Sequence, residues 1–130
     1  MKILVVDDDA IVTKSCKRIL EAEGFEVLAV PSADQGIEAI RHDDFDLLLM
    51  DVKMPKHDGL YLMREIKKDW PDIPIIVMSG YPTQETIADV LQLGPAGFIP
   101  KPFRPDELVK SVRQALENAV KRRPFPTGAG

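Results

Sequence analysis

Five polar residues sit directly after short apolar runs, and their types suit phosphoryl chemistry. Asp7 and Asp8 follow Ile3-Leu4-Val5-Val6, and Asp51 follows Leu47-Leu48-Leu49-Met50. Ser79 follows Ile75-Ile76-Val77-Met78, and Lys101 follows Gly97-Phe98-Ile99-Pro100. If each run is a strand of one parallel sheet, all five side chains emerge at its carboxyl edge, where open α/β sheets bind their ligands. Three clustered carboxylates repel one another unless a divalent cation or a shared proton neutralises them. The pattern points to a cation-dependent phosphoryl site with an aspartate at its centre.

The elements that must position these residues recur in a regular order. Apolar runs at Ile3–Val6, Val27–Val30, Leu47–Met50, Ile75–Met78 and Phe98–Pro100 lack alternation, as do strands buried on both faces of a parallel sheet. Helical spacing fills the intervals. Val12, Cys16, Ile19 and Leu20 precede Gly24, a suitable residue just past a helix end. Ser32-Ala33-Asp34-Gln35 is a capping-box pattern, followed by the stripe Ala33, Ile37 and Ile40. A third helix carries Leu62, Met63 and Ile66 and ends before Pro71, and a fourth, over about 83–93, carries Ile87, Ala88 and Leu91. The fifth starts at Pro105 with Asp106 and Glu107 in its first turn, and buries Leu108, Val112 and Leu116. The fold class is therefore α/β, a doubly wound (βα)5 sheet in a three-layer sandwich. Pro100 suits an edge strand, as in the flavodoxin-like order 2-1-3-4-5, adopted here by analogy.

Composition narrows the function classes. The 130 residues suit one domain, with 45% hydrophobic and 29% charged residues. A net charge of −4 gives no general reason to expect direct nucleic-acid binding. The first apolar run leads straight into acids, unlike a secretory leader, and no run approaches membrane-spanning length. Cys16 is the only cysteine, which fits a reducing cytoplasm, and its place on an apolar stripe makes it a small core residue. His42 and His57 lack partners at metal-ligand spacing and are expected at the surface. Lys121-Arg122-Arg123 reads as a solvated helix end, and the Pro- and Gly-containing stretch 121–130 as a flexible tail or truncated linker after a domain at 1–120.

Taken together, Val5-Val6-Asp7-Asp8-Asp9, Met50-Asp51-Val52-Lys53-Met54-Pro55, Asp58-Gly59, Met78-Ser79-Gly80 and Lys101-Pro102-Phe103 resemble the motifs of response-regulator receiver domains of two-component signalling. The resemblance implies that Asp51 accepts a phosphoryl group from a sensor histidine kinase, a phosphotransfer protein or a small phosphodonor. It implies Mg²⁺ (or Mn²⁺) held by Asp8, Asp51 and the backbone carbonyl of Lys53, with Asp7 acting through a bound water. Lys101 would pair with Asp51 and then with the phosphoryl oxygens, aimed by a cis Lys101–Pro102 bond, and Ser79 would bond a phosphoryl oxygen. Ser79 and Phe98 would form the switch. Serine stands where threonine is frequent, and Phe98 lacks the hydroxyl of the tyrosine also common there. Lys53 and Tyr81 would flank the path of the hydrolytic water. Asp9 reads as a helix cap and Asp58-Gly59 as turn chemistry supporting the loop. Signal would leave through the face of the fourth helix, fifth strand and fifth helix, toward a downstream effector or a second copy of the chain.

Other readings fit less well. A haloacid-dehalogenase-like phosphatase also uses an aspartyl phosphate and Mg²⁺, but places its nucleophile after the first strand in an Asp-x-Asp pattern. A dinucleotide-binding fold would need Gly-x-Gly-x-x-Gly after that strand. A non-phosphorylated interaction module would typically lose one of the five site residues, and all are present. The expectation is a signalling module that catalyses only its own phosphorylation and dephosphorylation, as a stand-alone regulator, a relay intermediate or part of a longer chain. Lys101, at a loop tip, is expected to contribute little to stability.

Overall fold

The computed structural model describes residues 1–52, 59–80 and 84–122. Within them five strands alternate with five helices: β1 (Lys2–Val6), α1 (Ala10–Ala22), β2 (Glu26–Val30), α2 (Ala33–His42), β3 (Leu47–Asp51), α3 (Gly59–Asp69), β4 (Ile75–Ser79), α4 (Gln84–Gln92), β5 (Gly97–Pro100) and α5 (Pro105–Arg122). All neighbouring strands are parallel, in the order β2-β1-β3-β4-β5. This is the doubly wound, flavodoxin-like sandwich expected of the sequence.

Strand parity sorts the core into two layers, because successive side chains point to opposite faces. Leu4, Val6, Leu48, Met50 and Val77 face α2, α3 and α4, where they meet Ala33, Ile40, Leu62, Met63, Ile66 and Val90. Ile3, Val5, Leu47, Leu49, Ile76 and Met78 face α1 and α5, meeting Cys16, Leu20, Leu108, Val112 and Ala115. The central strands β3 and β4 are buried along their whole length, which is why their sequences do not alternate. Burying each such Leu, Ile or Met side chain contributes roughly 1.5–3 kcal/mol. The edge strand β2 departs from the expected double burial: it has a ladder partner on one side only, and Leu28 is exposed. Pro100 ends β5 at the opposite edge, where its missing donor leaves no central ladder incomplete.

Helix ends follow local chemistry. The Asp9 carboxylate accepts from the Ile11 amide at 2.9 Å and caps α1, and the Ser32 hydroxyl accepts from the Gln35 amide at 3.2 Å and caps α2. Gly24, with φ 92°, turns the chain after α1 in a conformation that disfavours side chains. One stripe differs from expectation. In α4 it is Val90 that is buried, while Ala88 and Leu91 are exposed. Ile87, Val90 and Leu91 satisfy both possible helical spacings, and only the direction of the sheet decides between them. Helix α5 runs through Arg122, two residues into the stretch expected as tail, and 123–130 lie outside the described residues.

Candidate functional site

Four of the expected residues converge at the carboxyl edge between β1 and β3, the switch point of the strand order. Asp7 follows β1 with its amide bonded to the Val30 carbonyl at 3.2 Å, so the ladder extends to the site itself. Asp7 is 1% exposed, its Oδ1 accepts from the Asp9 amide at 2.9 Å, and its Oδ2 accepts from Lys101 Nζ at 2.7 Å. Asp51 ends β3, is 8% exposed, and places Oδ2 3.0 Å from the same ammonium. Asp8 is exposed at the rim. Parity explains the convergence: Asp7, Asp51 and Lys101 continue the alternation of Val5, Leu49 and Ile99, all of which face α1 and α5.

The loop after β5 reaches back to hold Lys101 in place. The Lys101 amide donates to the Ser79 carbonyl at 2.7 Å, extending the β4–β5 ladder beyond Pro100, and the Lys101–Pro102 peptide is cis, as the sequence motif implied. Ser79 ends β4 and is 2% exposed. Its parity is that of Val77, which assigns it to the α2/α3/α4 side of the sheet. Phe98 is on that side too: it pairs in register with Val77 and packs against the α2/α3/α4 core. Phe98 is therefore not part of the carboxylate cluster.

Electrostatics follow from burial and crowding. Desolvation raises the Asp7 pKa above the usual carboxylate range; its hydrogen bonds to Lys101 and the Asp9 amide act in the opposite sense without cancelling it. For Lys101, burial favours losing the proton, but hydrogen bonds to Asp7 and then Asp51 outweigh it and raise its pKa. Lys101 is thus a held ammonium between two carboxylates. One carboxylate oxygen from each of Asp7, Asp8 and Asp51 lies within 4.8 Å of the others. Three carboxylates against one ammonium leave two negative charges, and every donor is an oxygen, the ligand type hard divalent cations take. With two members buried and Asp8 exposed, the group is open to water on one side, as an ion that keeps part of its hydration shell requires.

Several expectations fall elsewhere. Lys53, His57, Asp58 and Tyr81 lie outside the described residues. His42 is exposed, with Nδ1 2.9 Å from the Glu38 carbonyl, and is not among the residues of the carboxylate cluster. Cys16 is fully buried in the α1/α5 layer, where desolvation pushes its thiol up to about 12. The direct Asp7–Lys101 pair was not foreseen, since the motif alone assigned the lysine to Asp51; the shared parity of positions 7 and 101 is the signal that could have found it.

A family model described as "Response regulator receiver domain" matches residues 3–113. The chain belongs to the response-regulator receiver domain family. It is 38% identical over 116 residues to the hydrogenase transcriptional regulatory protein HoxA of Cupriavidus necator, covering 88% of this chain and 24% of HoxA. It is 36% identical over 118 residues to the transcriptional regulatory protein CpxR of Klebsiella pneumoniae, covering 91% of this chain and 50% of CpxR. A CheY-like receiver domain protein from Methanospirillum hungatei superimposes with a TM-score of 0.90 at 34% identity, over 94% of this chain and 98% of that one. The chain thus spans between about a quarter and a half of the length of these two regulators. The receiver domain is a signalling module of two-component systems with a phosphoaccepting role, and the dehalogenase-like phosphatase and non-phosphorylated interaction module are not favoured.

Proposed function

We propose that Asp51 is the phosphoacceptor of this receiver. One oxygen of its carboxylate attacks phosphorus in line, while the bond from phosphorus to the donor breaks. With a phosphohistidine donor, the imidazole leaves with the electron pair of the P–N bond and takes a proton from solvent. The observation that carries the reading is Asp51 Oδ2 held 3.0 Å from Lys101 inside a three-carboxylate cluster at the sheet's switch point. Lys101 is placed to follow the developing phosphoryl charge as a point cation. Ser79, buried beside it on β4, is assigned to a phosphoryl oxygen.

Asp8 and Asp51 would hold Mg²⁺ (or Mn²⁺) directly, joined by the carbonyl of Lys53. When bound, the ion supplies charge neutralisation at the transferring phosphoryl group. Both oxygens of Asp7 are already engaged, by Lys101 and by the Asp9 amide, which favours contact with the ion through water. The chain would act only on its own phosphorylation and dephosphorylation, with a sensor histidine kinase or phosphotransfer protein as donor, in the cytoplasm. Among the described residues no helix is long and apolar enough to cross a membrane. The α4–β5–α5 face is assigned to a downstream effector or a second copy of the chain, and α4 offers it an exposed apolar pair, Ala88 and the 61% exposed Leu91.

The test is intact-mass measurement after exposure to acetyl phosphate. One phosphoryl group should be added with Mg²⁺ present and none after chelation. Undiminished phosphorylation of Asp51→Asn would sink the assignment.

A further inference from the structure

Gly59 opens α3 and is buried. Its amide donates to the Val52 carbonyl at 2.7 Å, so the helix starts bonded to the residue that follows Asp51. No side chain fits there. A Cβ at position 59 would fall far inside contact distance of the Asp51 carbonyl oxygen, and 2.7 Å from both the Val52 Cα and the Met50 Cε. The Met50 methyl can swing aside, but the two backbone atoms cannot, so the end of β3 and the first turn of α3 must move apart. Among the described glycines this collision with backbone is particular to Gly59: Gly36 would meet the Val6 side chain at 3.0 Å, and Gly80 would meet nothing within 4 Å.

The end of β3 is where displacement matters most. The Asp51 side chain is short, so a shift of its backbone is carried almost undiminished to the carboxylate that meets Lys101 and the other acids. Misplacing a reacting group by about 1 Å can cost on the order of a hundredfold in rate. We propose that Gly59 is a positioning residue: its missing side chain lets the first turn of α3 abut the Asp51–Val52 backbone and so sets where the Asp51 carboxylate points. Gly59 would act through Asp51 rather than directly on phosphodonor or ion, and the inference rests on Asp51 being the phosphoacceptor. A purely helical role predicts the opposite response to substitution, since alanine favours a helix over glycine.

The experiment compares the parent, Gly59→Ala and Ile66→Val. Ile66 lies on the same helix, about two turns on, and its trimming loosens the buried face of α3 without reaching Asp51. Folding is followed by circular dichroism, phosphoryl incorporation from acetyl phosphate by intact mass across a Mg²⁺ titration, and the Lys101 amide by NMR. Gly59→Ala should fold, incorporate phosphoryl at least about fivefold more slowly at saturating Mg²⁺, need more Mg²⁺ for half-saturation, and shift the Lys101 amide. Ile66→Val should match the parent in all three. A smaller fall in rate, equal losses in Ile66→Val, or a Gly59→Ala chain that does not fold would each overturn the proposal and leave Gly59 a packing residue. Failure of the parent to take up phosphoryl would instead overturn the role of Asp51, while the Lys101 amide would still report whether Gly59 positions it.

Discussion

Lys101 Nζ lies 2.7 Å from Asp7 and 3.0 Å from Asp51, bridging the ends of β1 and β3 from a loop beyond β5. The lysine is thereby a fastener of the sheet's carboxyl edge, in addition to the phosphate-pairing role proposed for it. Removing it leaves two buried carboxylates facing each other without their shared cation, which changes the expectation drawn from its loop position alone.

Lys101→Ala should therefore lower stability by about 2 kcal/mol, less than the roughly 3–5 kcal/mol for breaking a fully buried pair, because the lysine side chain keeps 17% of its exposure. Mg²⁺ should restore part of the loss by binding the folded carboxylates. Urea midpoints with and without Mg²⁺ measure both. Phosphorylation, or the response to it, should fall as well. A variant with the parent's midpoint, phosphoryl uptake and conformational response would refute both roles given to Lys101.

Cys16 should be inert in the native protein. It is fully buried, and desolvation first, then the nearby Asp7 charge, raise its pKa to about 12. Thiolate is the reactive form, so a disulfide reagent at about pH 8 should label the chain only after denaturation. The sign of the linkage is definite. A thiol whose folded pKa is raised retains its contribution to stability below the unfolded value near 9, and loses it as pH rises toward 12. Between these values the parent should lose stability more steeply than Cys16→Ala. Equal slopes, or rapid native labelling, would place the thiol closer to water than the core position allows.

Much of this was legible in the sequence because burial on both faces leaves a plain mark. The runs ending in Asp7, Asp51 and Ser79 are almost wholly apolar, and their ends locate the site's edge. The strand order needed analogy, since no run of residues encodes which strand neighbours which. The stripe of α4 is ambiguous in the sequence, as a helix of 9 residues admits two apolar faces, and it is Val90 rather than Leu91 that is buried. The Asp7–Lys101 pair spans 94 positions, a contact created by the closing of the sheet. Gly59 reads as turn punctuation until the Asp51 carbonyl is seen against it.

Ser79 and Phe98 share the α3/α4 side of the sheet, while Asp7, Asp51 and Lys101 occupy the other. Drawing the Ser79 hydroxyl toward a phosphoryl group would pull on the end of β4, whose Val77 pairs in register with Phe98, and so bias two existing arrangements of β5 and α4. A beryllofluoride mimic of the phosphoryl group should shift amides across 79–103 in the parent. Ser79→Ala should still bind the mimic but lose the shifts around Phe98. Changes confined to 7–9 and 51–55 in the parent would sever the proposed route.

Lys53 and Tyr81, two residues beyond Asp51 and Ser79, should govern how long the phosphoryl group persists. Both lie outside the described residues, and the chemistry of their side chains carries the expectation. Neither is a carboxylate or amide suited to orienting a hydrolytic water, and tyrosine is bulky enough to shield an acyl phosphate. The lysine charge acts on both the bound phosphoryl group and the transition state, so shielding by Tyr81 is the firmer ground. The expectation is slow loss from the parent. Tyr81→Ala should speed decay of the phosphorylated protein severalfold by admitting water, and Lys53→Asn should speed it by supplying an amide to orient that water. Decay is read by intact mass after removal of the phosphodonor. An unchanged rate in both variants would remove the two residues from the mechanism and leave the lifetime to the buried carboxylate cluster itself.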